Sequence, residues 1–142
     1  MSRLLVTSGL ADPLEARLAA GLPVLGTCAG MILLARTVLD GRDDQRSYDA
    51  IDITVRRNAF GRQLASFEDD IHLEGIAGGP VRGIFIRAPW VEETGEGIEV
   101  LAEVNGHPVA VRQDNVAAIS FHPERTGDDR VHAWFASVAD AA

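Results

Sequence analysis

Apolar and polar positions along this chain switch between two periods, and the switches mark its elements. Leu14 and Leu18 lie four apart among polar neighbours, the stripe of a helix. Asp12-Pro13-Leu14-Glu15 supplies its start, with Asp12 as N-cap, Pro13 at N1 and an acid at N3, and Gly21 supplies its stop. The run Leu22-Pro23-Val24-Leu25 then leads into Gly26-Thr27-Cys28-Ala29-Gly30, and Met31-Ile32-Leu33-Leu34-Ala35 leads out. That order reads as strand, sharp turn and helix. Asp40 to Asp49 is polar and reads as a surface loop. Ile51-Asp52-Ile53-Thr54-Val55 alternates, which predicts a strand with one wet face, and Gly83-Ile84-Phe85-Ile86 predicts another. Ile98 to Val104 and Pro108 to Arg112 flank Asn105-Gly106, a hairpin signal. Val116-Ala117-Ala118-Ile119 is strand-like. Val131, Trp134, Phe135 and Val138 return to helical spacing and predict a last helix packed on the sheet. Elements in this order imply a three-layer α/β fold with an antiparallel excursion.

Composition narrows the picture. At 142 residues, 46% hydrophobic and 24% charged, the chain is long enough for one domain with a real core. A net charge of −8 argues against a nucleic-acid surface, and no apolar run is long enough to span a membrane. All 13 basic residues are arginine. The single cysteine excludes an internal disulfide and fits a reducing compartment, so the expected location is the cytoplasm.

That cysteine is also the main candidate for chemistry. Taken alone, Cys28 in an apolar stretch is a small buried hydrophobe. Its place in Gly-Thr-Cys-Ala-Gly instead suggests a nucleophile elbow, with the sulfur near a helix N-terminus that favours thiolate. A nucleophile needs a base, and the base needs an orienting acceptor. Ser120-Phe121-His122-Pro123-Glu124 offers both, because in an extended segment His122 and Glu124 face one side. Alone, His122 is a polar residue at a strand end and Glu124 a solvated carboxylate; together with the elbow they complete a triad. His72, His107 and His132 lack metal-ligand spacing, and no metal or cofactor is called for.

Four segments carry a resemblance: Gly21 through Gly30, Val55-Arg56-Arg57-Asn58-Ala59-Phe60-Gly61-Arg62-Gln63, Phe85-Ile86-Arg87-Ala88-Pro89, and Ser120 through Glu124. With these the chain resembles the glutaminase subunits of pyridoxal-phosphate synthase, which are class I (triad) glutamine amidotransferases. The resemblance implies a flavodoxin-like three-layer α/β/α sandwich. It implies a catalytic triad of Cys28, His122 and Glu124, an oxyanion-hole N–H from Ala29, and glutamine binding by Arg57, Ile86 and Arg87. The implied reaction is hydrolysis of L-glutamine to glutamate and ammonia. The ammonia is passed to a barrel-shaped synthase subunit for pyridoxal phosphate (vitamin B6) biosynthesis, and the chain itself needs no cofactor. Family members open with a strand, a helix and a second strand ending in a Gly-Gly-Glu-Ser loop that completes the oxyanion hole. Residues 1–142 resemble the domain from just after that loop, so an N-terminally incomplete glutaminase domain is the expectation. The alternative is a catalytically impaired remnant that at most binds its partner.

Overall fold

The computed structural model describes residues 1–61 and 66–142. Arg62 and Gln63, part of one segment that carries the resemblance, lie outside the described residues. Helices α1 (Ser2–Thr7) and α2 (Ala11–Ala19) precede strand β1 (Val24–Thr27), helix α3 (Ala29–Leu34) and strands β2 (Ala35–Leu39) and β3 (Ile51–Arg56). Then come β4 (Ser66–Ile71), β5 (Val81–Ile86), β6 (Trp90–Thr94), β7 (Glu99–Val104), β8 (His107–Gln113) and β9 (Val116–Ile119). A 3₁₀ turn at Pro123–Arg125 and helix α4 (Arg130–Asp140) follow.

The central sheet has the order β1-β9-β8-β7, with β1 parallel to β9 and the other pairs antiparallel. Side-chain alternation splits it between two cores. Val24, Val111 and Ala118 join Met31, Leu34, Ile53 and Val55 on one face, while Leu25, Ala110 and Ile119 join Phe85, Phe121 and Val131 on the other. The first face is covered by α3, by Leu18 of α2 and by a second sheet of order β2-β3-β6. The other is covered by α4, through Val131 and Trp134, and by the β4–β5 hairpin. A sheet buried on both faces reads as continuous apolar runs, as Val116–Ile119 does. The layered α/β expectation and its antiparallel excursion are both met.

Local signals account for most boundaries. Helix α2 ends in a Schellman motif: Gly21 takes φ +85°, its N–H donates to Leu18 O at 3.0 Å, and Leu22 N–H donates to Arg17 O at 3.0 Å. Asn105 and Gly106 both take positive φ (53° and 77°), as the two-residue hairpin turn requires. Two expectations need correction. Helix α2 starts two residues earlier than expected, with Leu10 as N-cap and no side-chain cap. The Asp12 carboxylate instead accepts from both Arg46 Nη atoms at 3.2 Å. The run after the elbow is helical only to Leu34: Ala35 takes extended angles (φ −60°, ψ 148°) and the chain becomes β2, parallel to β3. The β-branched pair Thr37-Val38 suits that strand, and Val38 packs into the core that holds β3.

Candidate active site

Cys28 stands between the last residue of β1 and the first of α3, with φ 50° and ψ −102°. A non-glycine residue held there stores about 1–3 kcal/mol of strain, and such strain clusters at functional sites. Two features enforce the bend. Thr27 pairs with Ile119 in the parallel register, and Cys28 N–H donates to Ile119 O at 2.8 Å. Gly26 lets the strand pass under the helix: a Cβ there would lie 2.6 Å from Leu34 Cδ1 and 2.7 Å from the Gly30 backbone carbon. Gly30 differs, because a Cβ there meets nothing within 4 Å. Close approach therefore requires only the first of the two flanking glycines to lack a side chain.

Strand β9 hands over to His122 three residues beyond Ile119. The His122 N–H donates to Ile84 O at 2.9 Å, which fastens it to β5. His122 Nδ1 lies 2.7 Å from Glu124 Oε1. With Nδ1–H donating to the carboxylate, the Nε2 lone pair is left free to accept a proton. The sequence places these residues on one side of an extended segment, but the pairing arises differently. His122 is the N-cap of the 3₁₀ turn at Pro123–Arg125, and that turn swings Glu124 back to the ring. Burial of Glu124 works to raise its pKa. The hydrogen bond from His122, its own backbone N–H and the charges of His122 and His132 outweigh that and leave it below the usual carboxylate value.

The remaining candidates come from two loops. Strand β5 ends at Ile86, whose carbonyl is the acceptor for the Cys28 thiol at 3.8 Å; among the described residues no hydrogen bond runs from this sulfur to His122. Arg87 follows with φ 44° and is exposed, close enough for its charge to act on Cys28. Arg57 follows β3 and lines a cavity of about 90 Å³ with Ala29, Ile32 and Ser2. Ala59 N–H donates to Ala88 O at 3.1 Å and ties the two arginine loops together. Neither Arg57 nor Arg87 forms an ion pair among the described residues, whereas Arg56 is taken up by Asp40 at 2.9 Å and Glu92 at 3.1 Å. All seven candidate residues thus sit on segments joined to one another by hydrogen bonds. A larger depression of about 390 Å³, lined by Arg112, Asp114, Asn115 and Val138, lies at the opposite end of β9 and carries no nucleophile.

Burial pushes the Cys28 thiol pKa up, and the Glu124 charge adds to this; the Ala29 N–H and the Arg87 charge pull the other way without prevailing. The expected preference for thiolate at the helix N-terminus is therefore present in the Ala29 contact but outweighed by desolvation. Burial therefore biases Cys28 toward the thiol form. Among the described residues no cluster of three or more His, Cys, Asp or Glu is arranged to hold a metal. His107 instead stacks on Trp90, with ring centroids 3.7 Å apart and planes 2° from parallel. Arg125, directly after Glu124 in the chain, borders a depression with Ile86 and Phe67.

The family model described as "SNO glutamine amidotransferase family" matches residues 1–140. The chain belongs to that family. It is 58% identical over 141 residues to the pyridoxal 5'-phosphate synthase subunit PdxT of Streptomyces griseus subsp. griseus, covering 99% of this chain and 72% of the relative. It is 56% identical over 147 residues to the subunit of the same name from Salinispora arenicola, covering 100% of this chain and 73% of the relative. A solved structure titled "Crystal structure of glutamine amidotransferase" superimposes with a TM-score of 0.88 at 44% identity, over 98% of this chain and 72% of that one. The fold is thus that of a class I glutamine amidotransferase. Among the described residues no helix is long and apolar enough to cross a membrane.

Proposed function

We propose that this member of the SNO family is the glutaminase subunit of a pyridoxal 5'-phosphate synthase, with Cys28 as nucleophile, His122 as base and Glu124 as its orienter. The observation that carries this is the shared level of β1 and β9. Their parallel register and the Cys28 N–H to Ile119 O bond deliver a strained cysteine and a carboxylate-paired histidine from adjacent strand ends. Ligands of open α/β sheets bind at such carboxyl ends.

The reaction runs in two steps. Cys28 Sγ attacks the side-chain carboxamide carbon of glutamine as the thiol proton passes to His122 Nε2. The Ala29 N–H stabilises the tetrahedral oxyanion. His122 returns the proton to the leaving nitrogen, the C–N bond breaks and ammonia departs, leaving a glutamyl thioester. Water, deprotonated by His122, then attacks the thioester carbon, and glutamate leaves as Cys28 regains its proton. Arg57 and Arg87 hold the α-carboxylate, with the Ile86 backbone lining the same site. A bias toward the thiol form suits this scheme, because proton transfer to His122 coincides with attack. The ammonia is delivered to the barrel-shaped synthase subunit, in the cytoplasm, where the free thiol stays reduced.

The test is ammonia release from L-glutamine by the purified chain, alone and with the synthase subunit, with Cys28→Ser as the background. Release above that background supports the assignment, and a glutamine-analogue diazoketone should attach at Cys28. Release equal to background in both conditions, or attachment at another residue, would overturn it.

A further inference from the structure

Four of the chain's five phenylalanines, together with Trp90 and His107, form one connected set of rings, and Phe60 is its junction. The Phe60 ring meets Phe67 at 4.9 Å (62°), Phe85 at 5.7 Å (62°) and Trp90 at 5.1 Å (82°), all edge to face. Phe67 stacks on Phe85 at 4.5 Å, Phe85 meets Phe121 at 5.5 Å, and His107 closes the far end on Trp90. These rings come from all three sheets: β6 carries Trp90, β4 and β5 carry Phe67 and Phe85, β8 carries His107, and Phe121 follows β9. Among the described residues no strand ladder joins those sheets, and only isolated backbone bonds such as His122 N–H to Ile84 O run between them, so side-chain packing contributes to their relative placement.

The position of each ring in the chain gives the set its meaning. Phe60 lies three residues after Arg57, Phe85 directly before Ile86-Arg87, and Phe121 directly before His122. Both arginine loops contain a non-glycine residue at positive φ, Asn58 at 45° and Arg87 at 44°. Such conformations persist only where the surroundings over-determine them. Among the described residues one backbone bond runs between the two loops, Ala59 N–H to Ala88 O. Edge-to-face geometry is directional, and each such pair adds to burial alone. Phe60, half-buried and gripped on three sides, is therefore the side chain best placed to fix the Arg57 loop against the Arg87 loop.

We infer that Phe60 is a positioning residue: it sets the spacing of Arg57 and Arg87, and through it the recognition of the glutamine carboxylate, without touching substrate. This rests on the glutaminase reading above. The test compares unsubstituted chain, Phe60→Leu, Phe60→Ala and Phe60→Tyr. Two reagents are used at Cys28: a glutamine-analogue diazoketone, which needs the carboxylate clamp, and iodoacetamide, which does not. Phe60→Leu keeps apolar bulk but has no ring edge, so it remains informative if Phe60→Ala fails to fold.

In Phe60→Leu the diazoketone rate at sub-saturating reagent should fall about tenfold or more, since small misplacements are costly in such sites. The iodoacetamide rate should hold within about twofold, and Phe60→Tyr should restore diazoketone labelling. In glutaminase assays with the synthase subunit, KM should rise with kcat largely kept. Unchanged diazoketone labelling in Phe60→Leu overturns the positioning role alone, as does a parallel loss with both reagents, which would mark a general packing defect. Absence of diazoketone labelling in the unsubstituted chain overturns the glutaminase reading, and the positioning role with it.

Discussion

Opposed influences act on the Cys28 sulfur, and they can be separated by charge. Burial and the Glu124 carboxylate raise the thiol pKa, while the Ala29 N–H and the Arg87 guanidinium lower it. The iodoacetamide reaction follows the thiolate, so its rate in the free chain should rise with pH through a midpoint above the ordinary cysteine value of about 8.5. Glu124→Gln removes a repelling charge and should move that midpoint down; Arg87→Gln removes an attracting one and should move it up. A midpoint at or below the ordinary value would contradict the burial argument. Arg57 and Arg87 call for a different measurement. Loss of either should raise KM for glutamine roughly tenfold or more, the scale of a charged hydrogen bond, with kcat less affected. Lysine restores the charge but not the two-pronged fork, so Arg87→Lys should recover only part of the loss. The sequence already indicated that His122 and Glu124 meet, because their spacing and order are written in it. It did not reveal the 3₁₀ turn that makes them meet, because Pro123 suits an extended segment and a first helical position equally.

The strand, elbow and helix around Cys28 were legible because glycine, an apolar run and a change of period coincide within a few residues. The division of labour between the two glycines was not, since it depends on what lies over each one. It yields a paired prediction. Gly26→Ala pushes a methyl to 2.6 Å from Leu34 Cδ1 and 2.8 Å from the Gly30 carbonyl oxygen. Backbone gives way less easily than a side chain, so the substitution should cost about 1–3 kcal/mol or more in urea unfolding. Gly30→Ala places its methyl in open space within α3 and should be neutral or stabilise by up to about 1 kcal/mol through helix propensity. Equal costs at both positions would mean that the strand and helix are not in the contact described. Strand β2 was hidden for a related reason. Ala35 belongs as readily to the preceding apolar helix as to a strand, and only the tertiary partner β3 decides. The hairpin at Asn105-Gly106, whose turn is self-contained, needed no such partner and was read correctly.

The two-faced burial of the central sheet was implied by apolar runs such as Val116–Ile119, but the sequence did not say how firmly each covering layer is attached. The layers differ. Helix α3 is continuous with β1 through the elbow and buries Met31 and Leu34 in the core. Helix α4 comes last in the chain and is fastened by buried Val131 and Val138, by Trp134 packed on the core, and by Arg130 at its first turn. The Arg130 guanidinium donates to the carbonyls of Ala77, Gly79 and Pro80 at 2.9–3.1 Å and to the Asp128 carboxylate. One side chain thus ties the start of α4 to the loop between β4 and β5, a link that the isolated pattern Asp128-Asp129-Arg130 does not announce. Stability within a domain is graded, and elements with few attachments open independently of the rest. Arg130→Gln should therefore speed amide hydrogen exchange selectively along α4 and residues 75–80, while β1, β9 and the elbow keep their protection. Because the anchor lies away from Cys28 and His122, glutamine hydrolysis should be retained in the same variant. Uniformly faster exchange across the chain would show instead that α4 unfolds only with the whole domain, and that its arginine anchor is part of the global fold.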